Sequence, residues 1–182
     1  MKRPLVHLHF DSIDSTSSYA KRCAAELDPN VLTLITADEQ TSGRGRFERK
    51  WLSPKGVNLY ATYCWQVPAS TPNLHLLSLR GAHCLAKILF SYGLYPTIKE
   101  PNDLLLNQKK IAGILTEIQW TPQTAQIFLG IGININMTMQ DLAQIDQPAT
   151  SLLEATGHVL DRTLLQMQIT NILNLEIITT NS

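Results

Sequence analysis

The sequence lacks the charge imbalance and the metal-binding motifs that would mark several common functions. Its formal net charge is zero, from 15 basic and 15 acidic residues, whereas a general nucleic-acid binder should show a basic excess. The five histidines form no HExxH motif and no cluster with cysteine, although His7 and His9 could share one face of a strand. Two ligands rarely suffice for a structural metal, so we expect neither a DNA-binding role nor a dedicated zinc site.

Cysteine is scarce, and long apolar runs are missing. Cys23, Cys64 and Cys84 are an odd number without CxxC spacing, which favours buried thiols in a reducing compartment. No apolar run approaches the roughly 18 residues of a membrane helix, and Lys2-Arg3 is not followed by the core of a signal peptide. We therefore expect a cytoplasmic chain without a membrane partner, long enough at 182 residues to bury a substantial core.

Hydrophobic periodicity predicts both strands and helices. Strands are predicted at 5–10, 31–37, 57–67, 95–98 and 125–137, with a β-hairpin over 104–119. Helices are predicted at 17–27, 74–92, 150–155 and 162–175, with a loop or short turn at 141–148. Asp14, Ser15 or Thr16 can cap the first helix, and Asp161 can cap the last.

The most unusual stretch is the loop QTSGRGRFERKW, which occupies 40–51. Its two glycines alternate with two arginines, and a third arginine and a lysine follow. These four cations repel one another unless something negative lies among them. Glycine allows left-handed dihedrals and close approach to a ligand, while arginine forks and a nest of backbone N–H groups bind phosphate or carboxylate. A solvated basic turn is the alternative that this motif alone leaves open.

A second polar stretch, KEPNDLLLNQKKIAG, occupies 99–113. A lysine, an asparagine and an aspartate surround a proline, and a short apolar run, a polar turn and a return strand follow. Alone, the Pro-Asn-Asp segment is typical of an ordinary turn, and Lys110 is typical of a solvated lysine at a sheet edge. Together, the two stretches are stronger evidence for a ligand-binding site than either stretch is alone.

Four further segments accompany them: DST at 14–16, SPKGVNLY at 53–60, GIGININ at 130–136 and TSLLEATG at 150–157. In this order, together with GRGR, PND and KKIAG, they resemble the biotin–protein ligases over roughly residues 15–165. The resemblance implies an α/β (α+β) fold in which a central mixed β-sheet is flanked by helices mainly on one side. This is the architecture of the catalytic core of biotin ligases and class II synthetases.

The resemblance also implies an activity. Biotin and ATP would give biotinoyl-5′-AMP and pyrophosphate, with Mg²⁺ accompanying ATP, and a lysine of a biotin carboxyl carrier domain would then attack the mixed anhydride. Many relatives add an N-terminal DNA-binding domain and a small C-terminal β-barrel. We expect residues 1–182 to form a single catalytic domain without either, so not a repressor. The oligomeric state stays open, with a homodimer among the alternatives.

The resemblance assigns roles to individual residues. The catalytic set would be Lys110, Arg44 and Arg46, which would bring the biotin carboxylate and the triphosphate together. The biotin-binding set would be Ser15, Thr16, Ser17, Gln40, Arg44, Gly45, Arg46, Lys110 and Gly113. The ATP- or adenylate-binding set would be Arg46, Arg49, Trp51, Asn102, Asp103 and Asn134, and Asp103 would also hold Mg²⁺.

Three positions depart from the family pattern: Ser17 replaces the usual asparagine, Glu48 a glycine and Glu100 a tryptophan. Glu48 could pair with Arg46 or Arg49, or compete with the ligand phosphate. The alternatives are a lipoate or octanoate ligase of the same fold and a non-catalytic binder of biotin or nucleotide. The first usually shows an RRxSGGG-like loop followed by HD, and this chain has neither. A cysteine acyl-enzyme transferase is disfavoured because no cysteine lies near the motifs.

Overall fold

The structure, a computed structural model, describes residues 2–178 apart from the side chain of Glu48. The expected pairing of Glu48 with a neighbouring arginine therefore lies outside the described residues. The strands are β1 (Leu5–Phe10), β2 (Leu32–Ala37), β3 (Leu59–Pro68), β4 (Thr97–Lys99), β5 (Asp103–Leu106), β6 (Lys109–Trp120) and β7 (Thr124–Ile133). The helices are α1 (Thr16–Arg22), α2 (Leu77–Ser91), α3 (Met139–Leu142), α4 (Leu152–Thr156) and α5 (Arg162–Leu173).

Within residues 2–178 the strands form one mixed sheet in the order β1-β2-β3-β7-β6-β5-β4. β1 and β2 are parallel, and every other neighbouring pair is antiparallel. The predicted hairpin joins β5 to β6 through Asn107 and Gln108, whose φ angles of 47° and 64° are those of the left-handed turns that suit two-residue hairpins. The α/β class with a mixed sheet, expected from the sequence, is confirmed.

The two faces of the sheet are covered differently. α2 and α5 pack on one face and contribute to the large apolar core with β2, β3, β6 and β7. α1 lies on the other face, where a small cluster of Ala20, Ile35, Cys64 and Phe128 is buried. Alternation along β6 and β7 places Gly113, Gly130 and Gly132 on this second face as well. The face therefore holds an apolar patch under α1 and a glycine-lined surface beside it.

Several element boundaries differ from the sequence predictions. The first helix ends at Arg22, because Cys23 leaves the helical conformation and the chain tightens into a 3₁₀ turn at Ala24–Glu26. The predicted strand 125–137 ends at Ile133. A short helix, α3, forms where a loop or turn was expected, because Thr138 and Asp141 make a reciprocal capping box. The caps at Ser15 and Asp161 are confirmed.

The cysteines and the helices relate to two further predictions from the sequence, which concern buried thiols and membrane helices. Cys23, Cys64 and Cys84 are free, and the last two are buried as expected, whereas Cys23 is half-buried. Burial raises the pKa of the Cys64 thiol well above its usual range, which leaves it unreactive. Among the described residues, no helix combines the length and the apolar character that a membrane span requires.

Candidate functional site

A cavity of about 290 Å³ opens on the face of the sheet that carries α1. Its walls come from the start of α1, the 40–51 loop and the turn before β5, and its floor comes from β6 and β7. The expected site residues that line it are Ser15, Thr16, Ser17, Gln40, Arg44, Gly45, Arg46, Arg49, Trp51, Asn102, Asp103, Lys110 and Gly113. The fold thus brings together the motifs that the sequence separates by up to about a hundred positions.

Asn134 is the expected site residue that the fold does not bring to this cavity. It is 2% exposed, and its side-chain amide donates to the backbone carbonyl of Thr150 at 3.1 Å. Its backbone N–H also donates to Ile111. Asn134 therefore joins the end of β7 to the segment before α4, and its expected contact with an adenylate has no support from its position.

The floor of the cavity is shaped around Trp51. A Cβ added to Gly132 would lie 2.5 Å from the indole ring, and one added to Gly113 would lie 3.1 Å from it. Real Cβ atoms essentially never come as close as 2.5 Å, and 3.1 Å is tighter than most of their contacts, so these glycines provide the space in which the indole lies. Trp51 Nε1 is buried and has no hydrogen-bond partner among the described residues. Trp51 is thus a wall of the cavity with an unused donor, rather than a residue of the main core.

Polar side chains fill the end of the cavity next to α1. The backbone N–H of Thr16 donates to Gln40 Oε1 at 2.9 Å, and the Thr16 hydroxyl donates to the same oxygen at 3.2 Å. The Gln40 amide nitrogen donates to Ser53 Oγ at 2.9 Å, and Ser53 in turn donates to the Trp51 carbonyl. These bonds tie the start of α1 to both ends of the 40–51 loop, so the polar end is held rigidly.

The 40–51 loop is shaped by pairing between its two arms. Gly45 N–H donates to the Arg49 carbonyl at 2.7 Å, and Trp51 N–H donates to Gly43 at 2.9 Å. Neither glycine of the loop uses the left-handed dihedrals that glycine allows, since neither has a positive φ, and it is Phe47 that is left-handed, at 54°. Gly43 is needed for close approach instead, since a Cβ there would lie 2.6 Å from Ser53 Oγ and closer still to the Trp51 carbonyl.

Arg44 has a partner that the sequence did not reveal. Its Nη2 atom donates to both carboxylate oxygens of Glu117, at 2.9 and 3.0 Å. Lys21 on α1 donates to the same carboxylate at 2.7 Å. Glu117 lies on β6, and its side chain is 27% exposed. This triad anchors the base of the loop to the sheet, and Arg46 and Arg49 of the same loop also line the cavity.

Lys110 faces the cavity because β6 contains a bulge. Leu104 pairs with Ala112 and Leu105 pairs with Lys110, so Ile111 is an extra residue on β6. In a regular strand, Lys110 and Gly113 would face opposite sides. With the bulge, a Cβ on Gly113 would lie 3.4 Å from Lys110 Cε, and Ile111 is fully buried in the core. The neighbouring Lys109 is exposed.

The Lys110 ammonium lies between an acid and an aromatic ring. Nζ is 2.8 Å from Asp103 Oδ1 and 5.4 Å from the centre of a Trp51 ring. The side chains of Lys110 and Asp103 are 16% and 20% exposed. Asp103 Oδ1 is buried, and within residues 2–178 it makes no hydrogen bond of good geometry despite the short contact. The pair is therefore held by charge rather than by a well-aligned bond, and the carboxylate keeps capacity for another partner.

A separate group of possible metal ligands lies away from this cavity. One ligand atom each from His9, Asp11 and Asp38 lie within 4.8 Å of one another near the end of β1. Asp38 is also paired with Arg162 at 3.1 Å, which places a cation beside the group. The group is distinct from the motifs that converge on the cavity.

Comparisons with known proteins identify the family that the chain resembles. The family model of the biotin/lipoate A/B protein ligase family matches residues 9–134. The chain is 37% identical over 160 residues to the bifunctional ligase/repressor BirA of Bacillus spizizenii, covering 85% of this chain and 48% of that protein. It is 34% identical over 156 residues to the biotin–[acetyl-CoA-carboxylase] ligase of Paracoccus denitrificans, covering 81% and 63%.

A solved structure gives the same picture. The biotin protein ligase of Aquifex aeolicus, in complex with biotin and ATP, matches with a TM-score of 0.76 at 31% identity, over 98% of this chain and 73% of that one. The fold is therefore the biotin ligase-like, class II synthetase-like α/β fold expected from the sequence. The chain spans about half the length of the BirA relatives it matches. Since the family model matches well over half of its residues, the chain belongs to the biotin/lipoate A/B protein ligase family.

Proposed function

We propose that this chain activates biotin with ATP and transfers it to a lysine of a biotin carboxyl carrier domain. The observation that carries the proposal is the arrangement of one cavity, in which the neutral hydroxyl of Ser17 lies over Gly130 and the Lys110 ammonium lies over Gly113, two residues farther along the paired strands. Biotin has the same polarity, with a ureido ring at one end and a carboxylate at the other. The similarity to biotin protein ligases supports the same ligand.

In the first step, a carboxylate oxygen of biotin attacks the α-phosphorus of ATP, and pyrophosphate leaves. Both reactants are negative, so they repel until cations screen them. Lys110 would hold the biotin carboxylate, since its ammonium has three donors and Asp103 occupies one side of it. Arg46 and Arg49, which also line the cavity, would meet the phosphates. The protein's contribution is positioning and charge neutralisation.

Arg44 has a different role in this proposal. Because its guanidinium is bonded to Glu117, it fixes the loop that carries Arg46. It still lines the cavity, so its expected contact with biotin or phosphate stays a prediction.

In the second step, the amine of the acceptor lysine attacks the acyl carbon of biotinoyl-5′-AMP, an amide bond forms, and AMP leaves.

The residues next to Lys110 fit a magnesium ion that accompanies ATP. Asp103 Oδ1 is buried without a well-formed hydrogen bond among the described residues, and Asn102 and Glu100 line the same wall. Mg²⁺ prefers one or two carboxylates together with phosphate oxygens and water. Asp103 would hold the ion, and the ion would neutralise charge on the phosphate oxygens.

We also propose, from the free thiols and the substrates, that the protein works in the cytoplasm.

The polar end of the cavity favours biotin over lipoate or octanoate. Ser15, Thr16 and Ser17 are buried polar residues that line it together with Gln40. An alkyl chain or a dithiolane ring would cover these groups without pairing them, and an unpaired buried polar group costs about 1–3 kcal/mol. A cyclic urea can pair with them through its carbonyl and its N–H groups.

ATP–pyrophosphate exchange tests the proposal. Purified protein is incubated with ATP, labelled pyrophosphate and either biotin, lipoate or octanoate. We expect exchange to depend on biotin and to be at least about tenfold slower with either of the other acids, in line with the cost of unpaired polar groups. Exchange that is supported equally by octanoate would contradict the substrate assignment. Binding of biotin without any exchange would identify a non-catalytic binder.

A further inference from the structure

A row of hydrogen-bonded side chains runs beneath the polar end of the cavity, with Thr62 at its centre. Thr62 lies on β3, and its hydroxyl oxygen is 2.9 Å from Thr16 Oγ1 and 3.1 Å from Ser17 Oγ. Thr62 is 0% exposed and does not line the cavity. Any influence of Thr62 on a ligand therefore acts through its two neighbours, both of which do line the cavity.

The direction of each bond in this row follows from one backbone group. The N–H of Thr16 is a fixed donor, so the Gln40 atom that it meets at 2.9 Å must be the oxygen Oε1. The Thr16 hydroxyl, 3.2 Å from that same oxygen, must donate its single proton there. Thr62 must then donate to Thr16, and its own oxygen can take part in a bond with Ser17 only as an acceptor.

The consequence is a defined polarity at the cavity surface. Ser17 donates its only hydroxyl proton to Thr62, so its oxygen can only accept hydrogen bonds from a ligand. Ser15 is the opposite case, since its oxygen accepts the N–H of Ser18 at 3.4 Å and its proton stays available. The Gln40 amide nitrogen has given one proton to Ser53 and keeps a second. The polar end therefore presents an acceptor at Ser17 and donors at Ser15 and Gln40.

We propose that Thr62 is a positioning residue that makes Ser17 an obligatory acceptor and thereby selects a ligand ring that carries an N–H donor. The inference rests on the proposed biotin activation, and it names the device by which the ureido ring would be recognised. A ring in which one N–H is replaced by oxygen would place a hydrogen-bond acceptor opposite the Ser17 oxygen, and two acceptors cannot form a hydrogen bond with each other. Without the Thr62 hydroxyl, the Ser17 proton is released, Ser17 can donate, and the selection is lost.

The test compares biotin with its two carbamate analogues, in each of which one ureido N–H is replaced by oxygen. Dissociation constants are measured by titration calorimetry for the wild type and for Thr62→Val, which keeps the side-chain shape and removes the hydroxyl. We expect the wild type to prefer biotin over at least one carbamate by about tenfold or more, as for a buried unpaired polar group. In Thr62→Val, biotin should bind more weakly, and the preference should shrink to about threefold or less.

Two variants separate this role from packing. Thr62→Ser keeps the hydroxyl and should restore the preference for biotin. Thr33→Val makes the same change at another buried threonine, on the neighbouring strand β2 and outside the row, and should leave all three dissociation constants unchanged. Should Thr62→Val fail to fold, Ser17→Ala removes the acceptor from the cavity surface directly and should also abolish the preference.

The outcomes distinguish this inference from the function on which it rests. A wild type that does not bind biotin would overturn both. A wild type that binds biotin, with a preference that survives intact in Thr62→Val and Ser17→Ala, would overturn the role of Thr62 and leave the proposed function standing. An equal loss in Thr33→Val would show that the effect comes from packing, and would also overturn the positioning role.

Discussion

Replacement of Lys110 by methionine removes the ammonium group and keeps an unbranched apolar stem. In the structure Nζ is 2.8 Å from Asp103 Oδ1, and the Lys110 side chain is only 16% exposed. The indole of Trp51 lies on another side, 5.4 Å from Nζ to the ring centre. The cation therefore faces the cavity from a partly shielded position, where screening by water is weak.

The expected loss of activity on replacing Lys110 follows from the environment of its ammonium group. A hydrogen bond to a charged group contributes roughly 1.5–3 kcal/mol, which corresponds to about 10- to 150-fold in affinity or rate. Loss of Lys110 also leaves Asp103 as an unpaired carboxylate beside the place proposed for the biotin carboxylate, so the two would repel. Both effects act in the same direction, and we expect a fall of about 100-fold in kcat/KM for biotin.

The assay is biotin-dependent pyrophosphate exchange at saturating ATP, with Lys109→Met as the matched control. Lys109 is the adjacent lysine, but it is exposed and does not line the cavity, so its replacement should change the rate by less than about twofold. A double variant with Asp103→Asn should recover part of the lost biotin affinity, because the repelling carboxylate is gone. Equal losses in the two single variants would refute the bulge-dependent register on which this reasoning depends.

Three further predictions address the floor, the loop and the sheet edge. Gly132→Ala should weaken biotin binding, measured by calorimetry, about tenfold or more, because the added Cβ would lie 2.5 Å from the Trp51 ring and push the indole aside. Unchanged affinity would show that the indole is not part of the biotin site. Glu117→Gln should speed tryptic cleavage of the 40–51 loop by releasing Arg44, and biotin plus ATP should slow cleavage in the wild type; equal cleavage under every condition would contradict the anchoring role. Partial burial and, to a smaller extent, the charge of His9 lower the pKa of His7 from its ordinary 6.5, so the stability contribution of neutral His7 is present above pH 6.5 and is lost as pH falls through the lower pKa of the folded protein. His7→Gln should therefore flatten the pH dependence of the urea midpoint below about pH 7, and parallel curves would contradict it.

The local patterns of the sequence predicted much of the fold and of the site. The strand boundaries of β1 and the hairpin between β5 and β6 follow from alternation and turn residues, and the caps at Ser15 and Asp161 follow from residue type. Such features depend on neighbours a few positions away, which a sequence displays directly. The role of Lys110 came from resemblance to a family, since an isolated lysine at a strand end has no distinctive pattern.

What the sequence did not reveal depends on contacts between distant segments. Glu117 meets Arg44 across 73 positions, and Thr62 meets Thr16 across 46, and no local pattern marks either pair. A charged residue in the middle of an otherwise apolar strand was a signal for Glu117, but it did not identify the partner. The bulge at Ile111 was equally hidden, because only pairing with β5 reveals the extra residue.

Direct detection of the intermediate tests the central claim most closely. Protein in molar excess is mixed with biotin, Mg²⁺ and ATP labelled on the α-phosphate, without an acceptor protein, and the quenched products are separated and identified by mass spectrometry. We predict biotinoyl-5′-AMP in amounts equal to the pyrophosphate released, and none when biotin is omitted. Release of pyrophosphate without biotinoyl-5′-AMP, or no reaction from a protein that binds both substrates, would contradict the account.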